Sequence, residues 1–181
     1  MINLERVRAI ADAFANLGFE GISKFDKTEP EFKILTRLAK KEDESILYAI
    51  SICAGLVDYQ LLKGGAERFW STLYDVYTQF GKIGANENRL YNLFKTFLKQ
   101  PINARLREQK LNRLKKLFDS GFIANMLKNP ERYIQEPQTT WITIARILNN
   151  PPYAKTVVFS MKVLDLAHYV LKNRYLNFPS N

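Results

Sequence analysis

Cysteine and histidine are almost absent from this chain: Cys53 and His168 stand alone among 181 residues. A single thiol permits no internal disulfide and no cysteine-based metal cluster. A single imidazole excludes His-rich metal sites and argues against a Ser-His-Asp arrangement. Uninterrupted apolar runs of membrane-spanning length, ~20 residues, are also missing. The opening Met1-Ile2-Asn3-Leu4-Glu5-Arg6 lacks a basic stretch followed by an apolar one, so no signal peptide is expected. These absences predict an intracellular, cytoplasmic protein without a membrane partner, and nothing in them calls for a metal or a cofactor. Acidic residues are the other shortage. Eighteen Asp and Glu face 27 Lys and Arg, a net charge of +9, which suggests a polyanionic partner such as nucleic acid.

What is present is helical. Leu4, Val7, Ile10, Phe14 and Leu17 make one apolar stripe, with Gly18 as its expected stop. Thr28-Glu29-Pro30-Glu31 has the form of a capping box opening a second helix through Phe32, Leu35 and Leu38. A third, apolar helix is predicted from Ser45 to Leu62, and an aromatic fourth carries Phe69, Trp70, Tyr74, Tyr77 and Phe80. Leu90, Leu93, Phe94 and Phe97 mark a fifth. From Pro101 a basic amphipathic helix is expected, with Leu106, Leu111, Leu114 and Leu117 inward and Arg105, Arg107, Lys110, Arg113, Lys115 and Lys116 outward. That face is either a nucleic-acid surface or simply solvated. A helix over Trp141–Leu148, a tight Asn149-Asn150-Pro151-Pro152-Tyr153 connection and a final helix close the chain. No strand alternation or internal repeat interrupts this, so the expected class is all-α, in two lobes divided near residue 100.

The final helix carries the chemistry. It is apolar nearly all round yet holds Lys155 and Lys162. At 100° per residue these two and Phe159 fall within roughly 60° of one another, and Val157, Met161, Leu164, His168 and Leu171 lie opposite. Burial and a second ammonium both disfavour a charged lysine, and a neutral amine beside an aromatic ring is what covalent amine catalysis requires. Alternatively, both lysines reach solvent from the edge of a core helix. The hairpin leaves backbone N–H groups open at the start of this helix, a place where a phosphate can sit.

The stretch Trp141-Ile142-Thr143-Ile144-Ala145-Arg146-Ile147-Leu148, then Lys155-Thr156-Val157-Val158-Phe159-Ser160-Met161-Lys162, closely resembles the archaeal 8-oxoguanine DNA glycosylase family. That family is a divergent branch of the helix-hairpin-helix DNA glycosylases. Asp58-Tyr59-Gln60-Leu61 with Gly65, Glu67 and Trp70 resembles the family's Ser-Tyr-x-Leu…Gly-x-Gly-Glu…Trp segment, with one residue inserted. Gln109-Lys110-Leu111-Asn112-Arg113 resembles its basic helix. The resemblance implies a bifunctional DNA glycosylase/lyase acting on DNA containing 8-oxoguanine. Lys155 would be the nucleophile, Phe159 and Trp70 pocket aromatics, and Lys162 a second pocket lysine. Arg105, Arg107, Lys110, Arg113 and Lys116 would contact DNA. The helix-hairpin-helix would span residues 140–174 within a 101–181 lobe, the 1–100 lobe lying opposite.

Two positions depart from the family. Glu31 stands where a base-contacting Gln is expected and Asp58 where a Ser is expected. As acceptors, both suit the N–H groups of a guanine-type base, although Glu31 also fits a purely capping role. The chain reaches Asn177-Phe178-Pro179-Ser180-Asn181 without the family's catalytic Asp and closing helices. A second polypeptide supplying them is therefore expected. The alternative is a non-catalytic all-α module that binds DNA or another protein.

Overall fold

The computed structural model describes residues 3–178. Met1, Ile2, Pro179, Ser180 and Asn181 lie outside the described residues, and with them part of the signal-peptide expectation and of the expected truncation. The described residues form ten α-helices and one 3-10 turn, with no strand. The helices are α1 (Leu4–Asp26), α2 (Pro30–Ala39), α3 (Glu44–Val57), α4 (Gly65–Phe80) and α5 (Glu87–Leu98). After the turn at Pro101–Asn103 come α6 (Arg107–Asp119), α7 (Phe122–Lys128), α8 (Pro130–Gln135), α9 (Pro137–Leu148) and α10 (Lys155–Lys172). No helix among them is long and apolar enough to cross a membrane.

The core is organised around α3, which is buried from Ile46 through Val57. Its principal neighbour is α10, while α2, α6, α7 and α8 also pack on it. The α3–α10 crossing is close because of Gly55. A Cβ there would stand 2.6 Å from the Ser160 Cα and 3.2 Å from the Phe159 carbonyl oxygen. Against the core α10 turns Val157, Met161, Leu164 and His168, as its periodicity predicts, with Leu171 only half-buried. His168 is a packed residue whose Nδ1 lies 2.8 Å from the Tyr48 hydroxyl.

Several local expectations are corrected. Gly18 does not end α1: with φ +61° it kinks the helix, which resumes to Asp26. The capping box does not form, because the Thr28 hydroxyl donates backward to the Phe25 carbonyl at 2.7 Å. Glu29 occupies the N-cap of α2, making no capping hydrogen bond. The third helix stops at Val57 rather than Leu62, since the Asp58 carboxylate is engaged by α4. The basic helix starts at Arg107, and Leu106 precedes it in a left-handed conformation (φ +53°), half-exposed rather than inward.

Candidate active site

Two clusters meet on the side of α3 that faces α2, α4 and α10. In the first, α10 projects Lys162 toward the start of α2, where its Nζ donates to Glu29 and, at 3.0 Å, to Glu31 Oε1. The Lys162 ammonium also lies 5.4 Å from the centre of the Phe159 ring, one turn back on the same helix. Glu31 is 2% exposed. Burial, joined by a hydrogen bond with Glu29, pushes its carboxyl up to about 7. That same bond lowers Glu29. Burial works against charge on Lys162, yet the two carboxyls outweigh it and hold its ammonium above the ordinary lysine range. Two acids gathered on one ammonium make a locked group.

The second cluster begins where α3 ends. Asp58 Oδ2 accepts the indole N–H of the fully buried Trp70 at 3.0 Å. Burial pushes the Asp58 carboxyl up to about 6, against the opposing pull of Trp70, Lys110 and Lys162. Because Asp58 feels both lysines, it electrically joins the Glu29–Glu31–Lys162 group to α6.

On α6 the structure separates residues that sequence pattern grouped together. Lys110 is wholly buried and cannot contact DNA. Its Nζ donates to Asn103 Oδ1 at 3.2 Å and lies 5.2 Å from the Tyr59 ring centre, and burial draws it down to about 8. Arg113 is half-buried, with its guanidinium 4.6 Å from the centre of the same ring. Arg107, also half-buried, donates to the Lys99 carbonyl at 3.2 Å. Arg105 and Lys116 remain exposed. The sequence pattern places Lys110 on the polar side, but in the fold that side of α6 meets the Tyr59 ring. Glu29, Tyr59 and Asn103 escaped the sequence reading. A second acid two residues from Glu31 was the visible signal for Glu29, and the Asp58-Tyr59-Gln60-Leu61 motif that for Tyr59; nothing local marked Asn103.

Lys155 is the first residue of α10 and is exposed. The hairpin before it is braced at both ends. Asn149 adopts φ +54°, returning the Asn150 amide to the Ala145 carbonyl, and the Trp141 indole donates to the Pro152 carbonyl at 2.7 Å. Val157 and Val158 amides return to the Ala154 carbonyl, so those of Lys155 and Thr156 point out of the helix start. Among the described residues, Lys155 has no acidic partner. Asp165 is occupied elsewhere, accepting the Leu176 amide at 2.6 Å. No three acidic, His or Cys side chains among the described residues converge on a metal-sized site.

Comparison with known proteins gives this arrangement a context. A protein family described as N-glycosylase/DNA lyase (AGOG) matches residues 11–181. An N-glycosylase/DNA lyase of Methanococcus maripaludis is 23% identical over all of this chain and 71% of its own length. One of Aeropyrum pernix is 24% identical over 94% of the chain and 59% of its own length. One of Nanoarchaeum equitans is 30% identical over 78% and 58% respectively. The crystal structure of Pyrobaculum aerophilum Pa-AGOG, an 8-oxoguanine DNA glycosylase complexed with 8-oxoguanosine, superposes with a TM-score of 0.73. It shares 18% identity over 98% of this chain and 64% of its own length. The chain thus spans between 58% and 71% of these relatives. It shares their all-α glycosylase fold, and it belongs to the AGOG N-glycosylase/DNA lyase family.

Proposed function

We propose that this chain carries the nucleophile of a DNA glycosylase/lyase that removes 8-oxoguanine. The carrying observation is the contrast between the two lysines of α10. Lys162 is bound by Glu29 and Glu31, whereas Lys155 stands unpaired at a helix start beside open backbone N–H groups. A DNA phosphate at those groups would bring the sugar of an extruded nucleotide to Lys155. The amine, once it has given up a proton, attacks C1′, its N–C bond forming as the bond to the base breaks, and the base leaves with the electron pair and takes up a proton. The C1′ amine then becomes an imine with opening of the sugar ring. Loss of a C2′ proton expels the 3′ phosphate and nicks the strand. Glu31, Asp58, Trp70, Phe159 and Lys162 are the proposed surroundings of the base. Arg105 and Lys116 are proposed to hold the backbone; Arg107 and Arg113 support that surface from its edge.

The developing charge at C1′ needs a carboxylate, and Asp165 is engaged with Leu176. We assign that carboxylate, and the helices that close the site, to polypeptide equivalent to the portion of the relatives that this chain does not cover. Borohydride trapping on 8-oxoguanine duplex tests the chemistry: an adduct is expected, and Lys155→Ala should remove it. An adduct that persists in Lys155→Ala would refute the assignment.

One observation favours a non-catalytic DNA-binding module instead. Glu31 and Trp70 are held by their own partners, so a base reaches them only if the Lys162–Glu31 and Trp70–Asp58 contacts open. Salt-dependent duplex binding without any trapped adduct, even with the completing polypeptide present, would select that reading.

A further inference from the structure

The start of α2 has no side-chain cap. Thr28 turns its hydroxyl back to the Phe25 carbonyl, and Glu29, the N-cap residue, makes no capping hydrogen bond. Pro30 follows at the first helical position, where a missing N–H costs nothing. The Glu29 carboxylate is therefore free of its own helix. It is engaged instead by Lys162, 133 residues further along the chain.

Lys162 thus has two partners of different kind. The Glu31 side chain is 3% exposed and that of Glu29 20%, so the ammonium stands between an inner carboxyl and an outer one. Glu31 Oε1 is occupied by Lys162 at 3.0 Å, and a base N–H reaches that oxygen only when this bond opens. With Glu31 as its sole partner, Lys162 would be left as a half-buried ammonium without a counter-charge, which is strongly unfavourable. With Glu29 beside it the outer ion pair survives, and only one hydrogen bond is exchanged. The Phe32 and Tyr169 rings, 5.9 Å apart, join α2 to α10 independently of the charged group, so the exchange does not require the helices to part.

We propose that Glu29 is a positioning residue of the site: it retains the Lys162 ammonium while Glu31 passes from Lys162 to the extruded base. The proposal rests on the reading that Glu31 and Lys162 surround the base, and it gives Glu29 the role of admitting that base. Glu29 acts through Lys162 and touches no base itself.

The test is duplex binding at fixed salt by the full chain carrying Lys155→Ala, which prevents turnover, with 8-oxoguanine or guanine at one position. Adding Glu29→Gln should reduce the preference for the lesion roughly tenfold, the scale of one hydrogen bond to a charged group, and leave affinity for the undamaged duplex unchanged. Glu29→Asp, which keeps the carboxylate, should recover part of the loss. In a Lys162→Met background Glu29→Gln should change nothing, because no ammonium remains to be retained. An undiminished preference in Glu29→Gln, or an equal loss in both backgrounds, overturns the proposal. So does a Lys162 ε-carbon NMR titration that falls to the ordinary lysine range in Glu31→Gln, since Glu29 would then fail to hold the ammonium alone. A lesion preference absent from the parent Lys155→Ala chain sinks the functional reading and this inference with it. A preference that is present but indifferent to Glu29 sinks this inference only.

Discussion

Gly55→Ala offers a test in which two physical effects oppose each other in sign. Gly55 lies inside α3, where helix propensity alone favours alanine by ~1 kcal/mol. The structure argues the other way, because the new Cβ would stand 2.6 Å from the Ser160 Cα and 3.1 Å from its nitrogen. Carbon atoms settle at roughly 3.5–4.0 Å, so α10 would have to withdraw by about 1 Å. Both neighbours are backbone atoms in a helix, and neither can rotate away. Overpacking of this kind costs ~1–3 kcal/mol, leaving a net loss of up to ~2 kcal/mol. For a chain of this size a loss of ~2 kcal/mol lowers the melting temperature by roughly 4–8 °C. The displaced helix carries Phe159 and Lys162, so contact with Glu31 should loosen at the same time. Calorimetry reads the first effect, and the yield of borohydride-trapped adduct reads the second. An unchanged or raised melting temperature would refute the close-crossing argument.

Other outcomes follow from the charged groups. The folded protein releases the Lys110 proton near pH 8, while the unfolded chain keeps it to about 10.5. Stability from this group therefore rises with pH between 8 and 9.5; Lys110→Met should remove that rise in urea unfolding, and an identical slope would count against the buried charge. Asp58 titrates near 6, above its ordinary 3.8, so its contribution is full below the lower value and is lost as pH climbs through the upper. Asp58→Asn should consequently lose less stability than the unaltered chain between pH 4 and 6, measured by the same unfolding series. Arg105→Ala and Lys116→Ala should each lower the log–log salt slope of duplex binding by roughly 0.9. Lys110→Met should leave that slope alone, and a drop there would return Lys110 to the DNA face.

Helix identity was legible because the apolar spacing repeats every three to four residues in nearly every segment. The seating of α10 was legible for the same reason: Val157, Met161, Leu164 and His168 mark its inner face without ambiguity. Boundaries were less so. A glycine in a polar stretch is an ordinary helix stop, yet α1 absorbs Gly18 as a kink and its aromatic second half docks on Tyr169 and Tyr175. Lys110 shows the sharper limit. Its burial follows from a ring contributed by Tyr59, 51 positions earlier, and from the Asn103 side chain that accepts its hydrogen bond. Both are tertiary facts, invisible to periodicity. The pairing of Lys162 with Glu31 was half visible: both were expected in one pocket, but that they would bind each other was not.

Cys53 lies in α3 one half-turn before Gly55, wholly buried, and burial raises its thiol far above the thiolate range. It is therefore a single, silent reporter at the heart of the molecule. Alkylating reagents reach it only when the packing around α3 opens, so the rate of its modification is a clock for that opening. With no other thiol in the chain, a mass increase of one adduct times the opening of the core around α3. DNA or a completing polypeptide that clamps α10 would slow the clock, and the slowing converts directly into the coupling between binding and the stability of the site.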